Sequence, residues 1–276
     1  MCHGRFQIFP CDSRLNTILY IKSSMKLTLV LGAANNNPHY YKFIPSQIQF
    51  WAYFGIKFVA VYVGAELPAE LVPFKRHIIL WPHTPQLHSA YVAQVIRLFM
   101  PALLNMPEDE CVMITDMDML PASPQYYIRD MGSYGPDDFV YYRERDKKQL
   151  YMCYNAANSR AWAKMFNIHT IQDVCNMLVA FYPHDYIGKR GKTWVADQLI
   201  LYAHAQHYPH LHVLERPLRR LEVEDYKEHL ERSDCDFVKT YDDIHFHESF
   251  IRNEALIAHA LAELIQYQPR VTSLQE

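Results

Sequence analysis

The chain has 276 residues, of which half are hydrophobic, 21% charged and 14% aromatic. This composition excludes a disordered or fibrous protein. Lys and Arg together number 27 and Asp and Glu 30, so the net charge is −3 with neutral histidines. Nucleic-acid binding is therefore disfavoured, because no basic excess is available to neutralise phosphates.

The start of the chain contains one short apolar run, residues 17–21, which is too brief for a signal-peptide core or a membrane span. We interpret residues 1–25 as an N-terminal extension that can be dispensable. We expect no transmembrane segment or anchor, and a cytoplasmic location in a bacterium or, for a viral protein, in the host. The six cysteines form no C-x-x-C pair, which predicts reduced thiols rather than a zinc site or a disulfide framework.

From residue 26 onwards, β-rich runs alternate with helical runs, as is typical of βα units around a mostly parallel sheet. No repeat or linker interrupts them, so residues 26–276 are predicted to form one α/β domain. Neither a G-x-G-x-x-G nor a G-x-x-x-x-G-K run is present. The predicted strands are 26–31, 57–63, 77–81, 111–115, 139–142, 150–154, 211–214 and 237–241, and the predicted helices are 45–53, 88–104, 159–166, 171–181, 195–207 and 250–267.

The apolar strand at 111–115 leads directly into two carboxylates one residue apart, Asp116 and Asp118. Ligands of α/β sheets collect beyond the carboxyl ends of the strands, and hard oxygen ligands there suit Mg²⁺ or Mn²⁺. The flanking Met117 and Met119 indicate a partly buried loop, in which unpaired carboxylates are costly. The alternative is that two acidic residues merely end a strand and cap a turn.

The preceding predicted helix is apolar except for one internal cation, Arg97, and it ends in a P-x-L-L run at residues 101–104. Helix, strand and D-x-D together resemble the GT-A glycosyltransferases, and among them look most like glycosyltransferase family 8 and its relatives. The resemblance extends through most of the chain, although short segments carry it. It implies a single Rossmann-like GT-A domain with a mixed, mostly parallel central sheet flanked by helices.

The resemblance also implies an activity, namely transfer of a sugar from a nucleotide-diphosphate sugar, a UDP-sugar in that family, to a hydroxyl of a carbohydrate or glycoconjugate acceptor. By the same resemblance, Asp116 and Asp118 chelate Mn²⁺ or Mg²⁺, and Arg97 reaches the phosphate or sugar of the donor. A metal and a cation would neutralise the charge on the departing nucleoside diphosphate. Without these neighbours, Arg97 would be interpreted as a helix arginine that reaches solvent or a surface acid.

Two later segments match the same family. Residues 151–158 resemble its F-N-A-G strand, with Asn155 at the position that faces the donor sugar and Ala157 where Gly is usual. Residues 193–201 resemble its D-Q helix start, which makes Asp197 and Gln198 the candidate catalytic residues. Asp197 would be the general base of an inverting enzyme, or would orient sugar hydroxyls in a retaining one. The alternatives are that Asn155 only ends a strand and that Asp197 only favours the helix dipole.

The last match is His245-Phe246-His247, in which the two histidines share one face of an extended segment. A late histidine completes the metal shell in GT-A enzymes, and His247 is the preferred match, with His245 as the alternative. The Lys-Pro-Trp run that follows in family 8 is missing, so any diphosphate clamp must differ. With 15 histidines in the chain, the pair can also be a coincidence.

The loop after the first strand, residues 32–41, lies where GT-A enzymes hold the base and ribose. There Ala33 would allow close approach, Asn36 would bind polar groups and Tyr40 would stack, unless the run is simply an Asn-rich turn. Two other functions stay open. A sugar-1-phosphate nucleotidyltransferase is disfavoured because the loop is Asn-rich, not Gly-rich, and has no lysine or arginine before Lys42. A catalytically silent nucleotide- or carbohydrate-binding module would use the carboxylates for structure alone.

Overall fold

The computed structural model describes residues 24–144, 149–188, 191–232, 237–247 and 250–267. Its strands are β1 Lys26–Asn35, β2 Lys57–Val63, β3 Ile78–Trp81, β4 Glu110–Ile114, β5 Met119–Pro121, β6 Phe139–Tyr141, β7 Asn155–Ala157, β8 Leu211–Val213, β9 Arg220–Glu222 and β10 Asp243–His245. Its α-helices are α1 Pro38–Tyr41, α2 Phe43–Tyr53, α3 Ser89–Phe99, α4 Pro124–Ile128, α5 Ser159–Phe166, α6 Ile171–Ala180, α7 Ala196–Ala205, α8 Val223–Arg232, α9 Phe237–Thr240 and α10 Phe250–Gln266.

Seven strands form the central sheet, in the order β3-β2-β1-β4-β7-β6-β8. The strand pairs are parallel except those of β7, which runs antiparallel to β4 and β6. Strands β1, β2 and β4 are almost continuously buried, as expected where helices cover both faces of a parallel sheet. One apolar cluster packs on each face. The predicted mixed, mostly parallel α/β fold is confirmed.

A second sheet of three short strands, β5-β10-β9, adjoins the end of β4. Strand β10 runs antiparallel to β5 and parallel to β9, which pairs His245 with Met119 on one side and with Glu222 on the other. The Phe246 amide also donates to the Asp118 carbonyl over 2.9 Å. This small sheet therefore holds the D-x-D loop and the late histidines against each other, although they are more than 120 residues apart.

Two predicted strands are wrong. The segment 150–154 is not a strand, because the Asn155 amide donates to the carbonyls of Tyr151 and Met152 and holds that stretch in a turn. The strand at this position is β7, which starts at Asn155. The segment 237–241 is the short helix α9, whose Phe237 packs on Tyr226.

Other differences concern element ends. Strand β1 continues to Asn35, where it still pairs with Val63, whereas the sequence predicts a loop from residue 32. Helix α3 ends at Phe99 and is followed by a 3₁₀ turn at Met100–Leu103, since Pro101 cannot continue the α-helical bonding. The elements that the sequence analysis did not predict are α1, the 3₁₀ helix Ala69–His77, β5, α4, the 3₁₀ helices Met131–Ser133 and Lys192–Val195, β9, α8 and β10.

The described residues begin at Ser24 and end at Tyr267. The predicted extension lies outside the described residues except for Ser24 and Met25, and Met25 is buried and donates its amide to the Tyr134 carbonyl over 3.2 Å. The closing helix α10 ends at Gln266. Within the described parts of the chain, no helix has the length and apolar character needed to cross a membrane.

Candidate functional site

A cleft of about 620 Å³ lies beyond the carboxyl ends of β1 and β4. Helices α3 and α7 and the end of β10 form its other walls. Such a position, outside the carboxyl edge of a mostly parallel sheet, is where α/β proteins bind ligands. The predicted site residues that line it are Ala33, Tyr40, Arg97, Asp116, Asp118, Asp197, Gln198 and His245.

Arg97 joins the two acidic motifs. Its side chain is only 8% exposed, and its guanidinium donates to the Asp116 carboxylate and, over 2.9 Å, to Asp197 Oδ2. It also donates to the carbonyls of Thr115 and Gln94 over 3.1 Å. Burial opposes the charged form, but the two carboxylates outweigh it and raise the pKa of Arg97 above its ordinary value. Arg97 therefore does not reach solvent, and it links α3, the end of β4 and α7.

Asp118 and His245 lie together on the opposite side of the D-x-D loop. Asp118 Oδ2 is 3.7 Å from His245 Nε2, and the Asp118 side chain is 10% exposed. Burial raises the pKa of Asp118, but contact with His245 and the charge of Arg97 outweigh it and lower the value. The same contact acts on the pKa of His245. Burial lowers this pKa, but the contact with Asp118 outweighs burial and raises it above its ordinary value. Asp118 and His245 thus place a carboxylate and an imidazole side by side at the cleft.

His247, the preferred metal ligand of the sequence analysis, lies elsewhere. Its Nε2 atom is 3.0 Å from Glu222 Oε2 and 3.4 Å from Glu224 Oε2, and it does not line the cleft. Glu222 also contacts His245, with 3.0 Å between Oε2 and Nδ1. The geometry therefore favours the alternative match, His245, as the histidine that faces the D-x-D motif. Glu222 had no recognisable motif in the sequence and is brought here by strand register.

A buried glutamine fixes the backbone of the D-x-D loop. Gln47, on α2, donates its amide to the carbonyls of Met117 and Met119 over 2.9 and 2.8 Å, and to that of Asp116 over 3.3 Å. Its side-chain oxygen accepts from Trp51 Nε1 over 2.9 Å. A methyl group on Gly32 would lie 2.7 Å from Met117 Sδ, so the loop is also packed tightly against β1. The carboxylates are consequently presented from a rigid backbone.

Asp197 and Gln198 begin α7 at the floor of the cleft. Asp197 is buried and accepts from the Gln198 amide over 2.8 Å in addition to Arg97. Burial raises the pKa of Asp197, and Arg97 offsets only part of that effect. The side-chain oxygen of Gln198 is buried at the cleft and has no hydrogen-bond partner among the described residues. A buried acceptor without a donor is costly, so the side-chain oxygen of Gln198 is suited to accept a hydrogen bond from a hydroxyl of a ligand.

The end of β1 and the loop after it bring only some of the predicted donor-binding residues to the cleft. Ala33 and Tyr40 line the cleft, whereas Asn36 lines a neighbouring pocket of about 560 Å³. Both asparagines that flank Asn36 line the cleft, and one of them, Asn35, donates to Ser89 Oγ over 3.0 Å. Asn37 accepts from the His39 amide and caps α1, as the Asn-rich turn alternative proposed for this run.

Asn155 is fully buried and is not part of the cleft lining. Its amide nitrogen is occupied by the carbonyls of Tyr151 and Met152, while its oxygen has no partner among the described residues. The structure therefore places Asn155 at the start of β7, where its side chain holds the preceding turn instead of facing the cleft. No residue of the match at 151–158 lines the cleft.

Sequence reasoning missed several lining residues, among them Gln94, His88 and Trp194. Gln94, one helical turn before Arg97, donates to the Trp194 carbonyl over 2.8 Å and so ties α3 to the segment before α7. Trp194 itself forms part of the wall, as does His88, which caps α3 by accepting from the Ala90 amide. The signal for Gln94 was its spacing of three residues from Arg97 on a helix, which places both on one face.

The charges of the cleft are unequal. Among the lining residues that the structure describes, three are carboxylates, Asp116, Asp118 and Asp197, and one is a lysine or arginine, Arg97. With the histidines neutral and the carboxylates ionised, the formal charge is +1 − 3 = −2. The cleft is therefore suited to a divalent cation and repels an anion that arrives alone.

No protein-family model and no curated protein matches the chain. Matches among solved structures include the galactosyltransferase LgtC in complex with donor and acceptor sugar analogues, at 9% identity over 85% of this chain and 95% of that chain, with a TM-score of 0.46. They also include the apo form of the glycosyltransferase GlyE from Streptococcus pneumoniae TIGR4, at 11% identity and a TM-score of 0.48. Of GlyE, 62% is covered, together with 87% of this chain. These solved structures are glycosyltransferases, the class that the sequence resemblance predicted, and an active-site mutant of LgtC matches likewise.

Proposed function

We propose that the chain is a metal-dependent glycosyltransferase that moves a sugar from a nucleotide-diphosphate donor to an acceptor hydroxyl. The observation that carries the proposal is the charge of the cleft, −2 in the arrangement described above. A nucleotide diphosphate is itself anionic, so it can bind beside Asp116 and Asp118 only if a cation lies between them. The order of the matching sequence motifs supports the same reaction.

The donor groups at the cleft suit a divalent metal by their chemistry, although the ligand atoms of Asp116, Asp118 and His245 do not all lie within 4.8 Å of one another. Asp118 and His245 face each other at 3.7 Å, and Asp116 adds a second carboxylate that is 25% exposed toward the cleft. Carboxylate oxygens with one imidazole are suitable ligands for Mn²⁺, and Mg²⁺ is the alternative for an oxygen-rich set. We assign Asp116, Asp118 and His245 as the residues that would hold the ion. When bound, the ion would neutralise charge on the diphosphate leaving group.

The other residues of the cleft hold and orient the reactants. Arg97 keeps Asp116 and Asp197 in fixed positions by donating to both, and its charge also lies close to the leaving group. Gln198 offers an unpaired acceptor to a sugar or acceptor hydroxyl. Asp197 would take the proton of the acceptor hydroxyl in an inverting reaction, or would bind a sugar hydroxyl in a retaining one. The raised pKa of Asp197 brings it closer to a general base.

We place the nucleotide at the end of β1. Ala33 leaves room for close approach there, and Tyr40 presents an aromatic ring at the cleft wall. Asn35 and Asn37 replace Asn36 as the polar groups at this wall, since Asn36 faces the neighbouring pocket. UDP is the proposed nucleotide because the resembled family uses it, and the acceptor is proposed to be a carbohydrate or glycoconjugate.

The test is release of free nucleoside diphosphate from a panel of UDP- and GDP-sugars, with Mn²⁺ and then with EDTA. We expect slow hydrolysis of one donor by the wild type, and its loss both in EDTA and in Asp118→Asn. The matched control is Asp137→Asn, because Asp137 is likewise an aspartate with a basic partner, Arg160, but lies outside the cleft. That variant is expected to retain the wild-type rate.

Two results would reject the proposal. Metal-independent binding of nucleotide or glycan without release from any donor would instead support the silent binding module. Release that is unchanged in Asp118→Asn would show that the D-x-D carboxylates do not take part. A nucleotidyltransferase is disfavoured further by the structure, because Arg97 is the one lysine or arginine of the described lining and it is already paired.

A further inference from the structure

A second group of potential metal ligands lies behind His245, on the side away from the cleft. It consists of Glu222, His247 and the Nδ1 atom of His245, and we refer to these three groups as the outer cluster. Glu222 Oε2 is 3.0 Å from His245 Nδ1 and 3.0 Å from His247 Nε2. His247 Nε2 is 3.4 Å from Glu224 Oε2. One ligand atom each from Glu222, His245 and His247 lies within 4.8 Å of the other two.

The chain organisation explains why these groups converge. Parallel pairing of β9 and β10 sets Glu222 opposite His245. His247 follows β10 with a backbone φ of 41°, a left-handed conformation that is uncommon for residues other than glycine, and its ring lies beside that of His245 with centroids 4.3 Å apart. Two strands and an unusual turn thus direct three ligands to one point, and Glu224, in the first turn of α8, lies beside His247.

The separations and the chemistry fit a transition metal. Ligands arranged tetrahedrally at about 2.1 Å from Zn²⁺ lie about 3.4 Å from one another, and Glu222 Oε2 lies 3.0 Å from a nitrogen of each histidine. Two imidazoles and one carboxylate, with the fourth position left to water, are a ligand set that Zn²⁺ accepts. Among the described residues, Glu222 forms ion pairs with these two histidines and with no lysine or arginine.

We propose that the outer cluster is a Zn²⁺ site, separate from the D-x-D motif and joined to it through His245. A neutral imidazole has one lone pair for a metal, because its other nitrogen carries the proton. When Zn²⁺ takes the Nδ1 lone pair, the proton resides on Nε2, which faces Asp118. His245 then donates toward Asp118 and no longer offers a ligand to an ion in the cleft. Zn²⁺ in the outer cluster consequently opposes metal binding in the cleft.

The site is tested by Zn²⁺ binding in competition with a chromophoric chelator. Asp118→Asn is the parent protein, so that the cleft carboxylates contribute less to the binding. We expect this parent to keep one Zn²⁺ equivalent, and the added changes Glu222→Gln and His247→Asn each to weaken it at least about tenfold. The matched control is His212→Asn, because His210 and His212 form another His-x-His next to a carboxylate, Asp138. It is expected to change the affinity less than twofold.

Loss of the Zn²⁺ equivalent in the Asp118→Asn parent would overturn the proposal, since the ion would then belong to the cleft. Equal weakening by His212→Asn would show general binding to surface histidines and would overturn it as well. A variant that folds poorly is still informative, because the Zn²⁺-induced rise in its own Tm over EDTA reports binding. We expect that rise in the parent and in the His212 variant, and none after Glu222→Gln or His247→Asn.

The antagonism rests on the proposed metal at the D-x-D motif and is measured separately. In the wild type, saturating Zn²⁺ is expected to weaken Mn²⁺ binding at least fivefold, whereas in His247→Asn it is expected to leave Mn²⁺ binding nearly unchanged. Mn²⁺ binding that Zn²⁺ weakens equally in both proteins would refute the linkage through His245. Failure of the transferase assay alone leaves the Zn²⁺ result intact, because no step of the binding experiment needs turnover.

Discussion

Replacing Gln47 with leucine removes the side chain that holds the D-x-D loop to α2. The change leaves Trp51 Nε1 without an acceptor, and it deprives the carbonyls of Met117 and Met119 of a donor each. Gln47 is fully buried, so water cannot replace these bonds. At about 1 kcal/mol for each group, the loss amounts to about 3 kcal/mol of unfolding free energy, or a fall in Tm of about 6–12 °C.

The same change is expected to weaken Mn²⁺ binding about tenfold, because the loop that carries Asp116 and Asp118 loses its support. Urea unfolding measures the first effect, and calorimetric titration with Mn²⁺ measures the second. Gln49→Leu is the matched control, since Gln49 is on the same helix but exposed. It is expected to change the unfolding free energy by less than about 0.5 kcal/mol.

If Gln47→Leu folds too poorly to study, Gln47→Glu provides the second variant. It keeps an acceptor for Trp51 but turns a carboxylate oxygen toward the loop carbonyls, and burial raises the pKa of such a group. The stability of this variant is therefore greatest at low pH and falls as the pH rises through the raised value. The reasoning is refuted if Gln47→Leu resembles Gln49→Leu in both assays.

Three further substitutions test the network around the cleft. In Arg97→Lys one ammonium cannot hold Asp116 and Asp197 as the guanidinium does, so urea unfolding should show a loss of about 2 kcal/mol, and a stability equal to the wild type would contradict the bridging role. Asp197→Asn should lower the turnover of donor with little change in nucleotide affinity, as steady-state kinetics and titration would show, and a wild-type rate would exclude its proposed role. Asp137 is held by hydrogen bonds from Arg160, which lower its pKa to about 2, so Asp137→Asn should reduce stability by about 1 kcal/mol at neutral pH. That deficit should disappear as the pH falls from about 4 through 2, and a deficit that persists at lower pH would rule out the ion pair as its cause.

Much of the sheet was predictable because its strands and helices have clear apolar patterns. Strand β2, Lys57–Val63, and helix α5, Ser159–Phe166, match their predicted bounds, since each is a continuous or periodic apolar run with polar ends. The short strands β5, β9 and β10 were missed because three residues each carry no periodicity. Strand β5 pairs with β10 across more than 100 residues and β9 pairs with β10 across 23, and a local pattern contains neither contact.

The candidate site was predicted where a side chain follows directly from its position on an element. Asp116, Asp118 and Arg97 lie where a strand end and a helix face place them. The sequence analysis preferred His247, whereas His245 faces the D-x-D motif, because the turn after β10 separates two histidines that the extended pattern places on one face. Asn155 was assigned to the donor by resemblance, but its amide is used to form the turn before β7.

Arg97 and its two aspartate partners occupy a part of the protein that apolar residues could fill without loss of stability. Neighbouring positions on α3, Ile96 and Leu98, are fully buried and apolar, and replacing a complete buried ion network with apolar residues is often neutral or stabilising. The triple variant Arg97→Met, Asp116→Leu, Asp197→Leu should therefore fold with an unfolding free energy close to that of the wild type, measured in urea, while nucleotide-sugar binding is lost. If the triple variant unfolds as readily as Arg97→Met alone, the three charged side chains are needed for the stability of the fold, and their burial is then no evidence for a bound ligand.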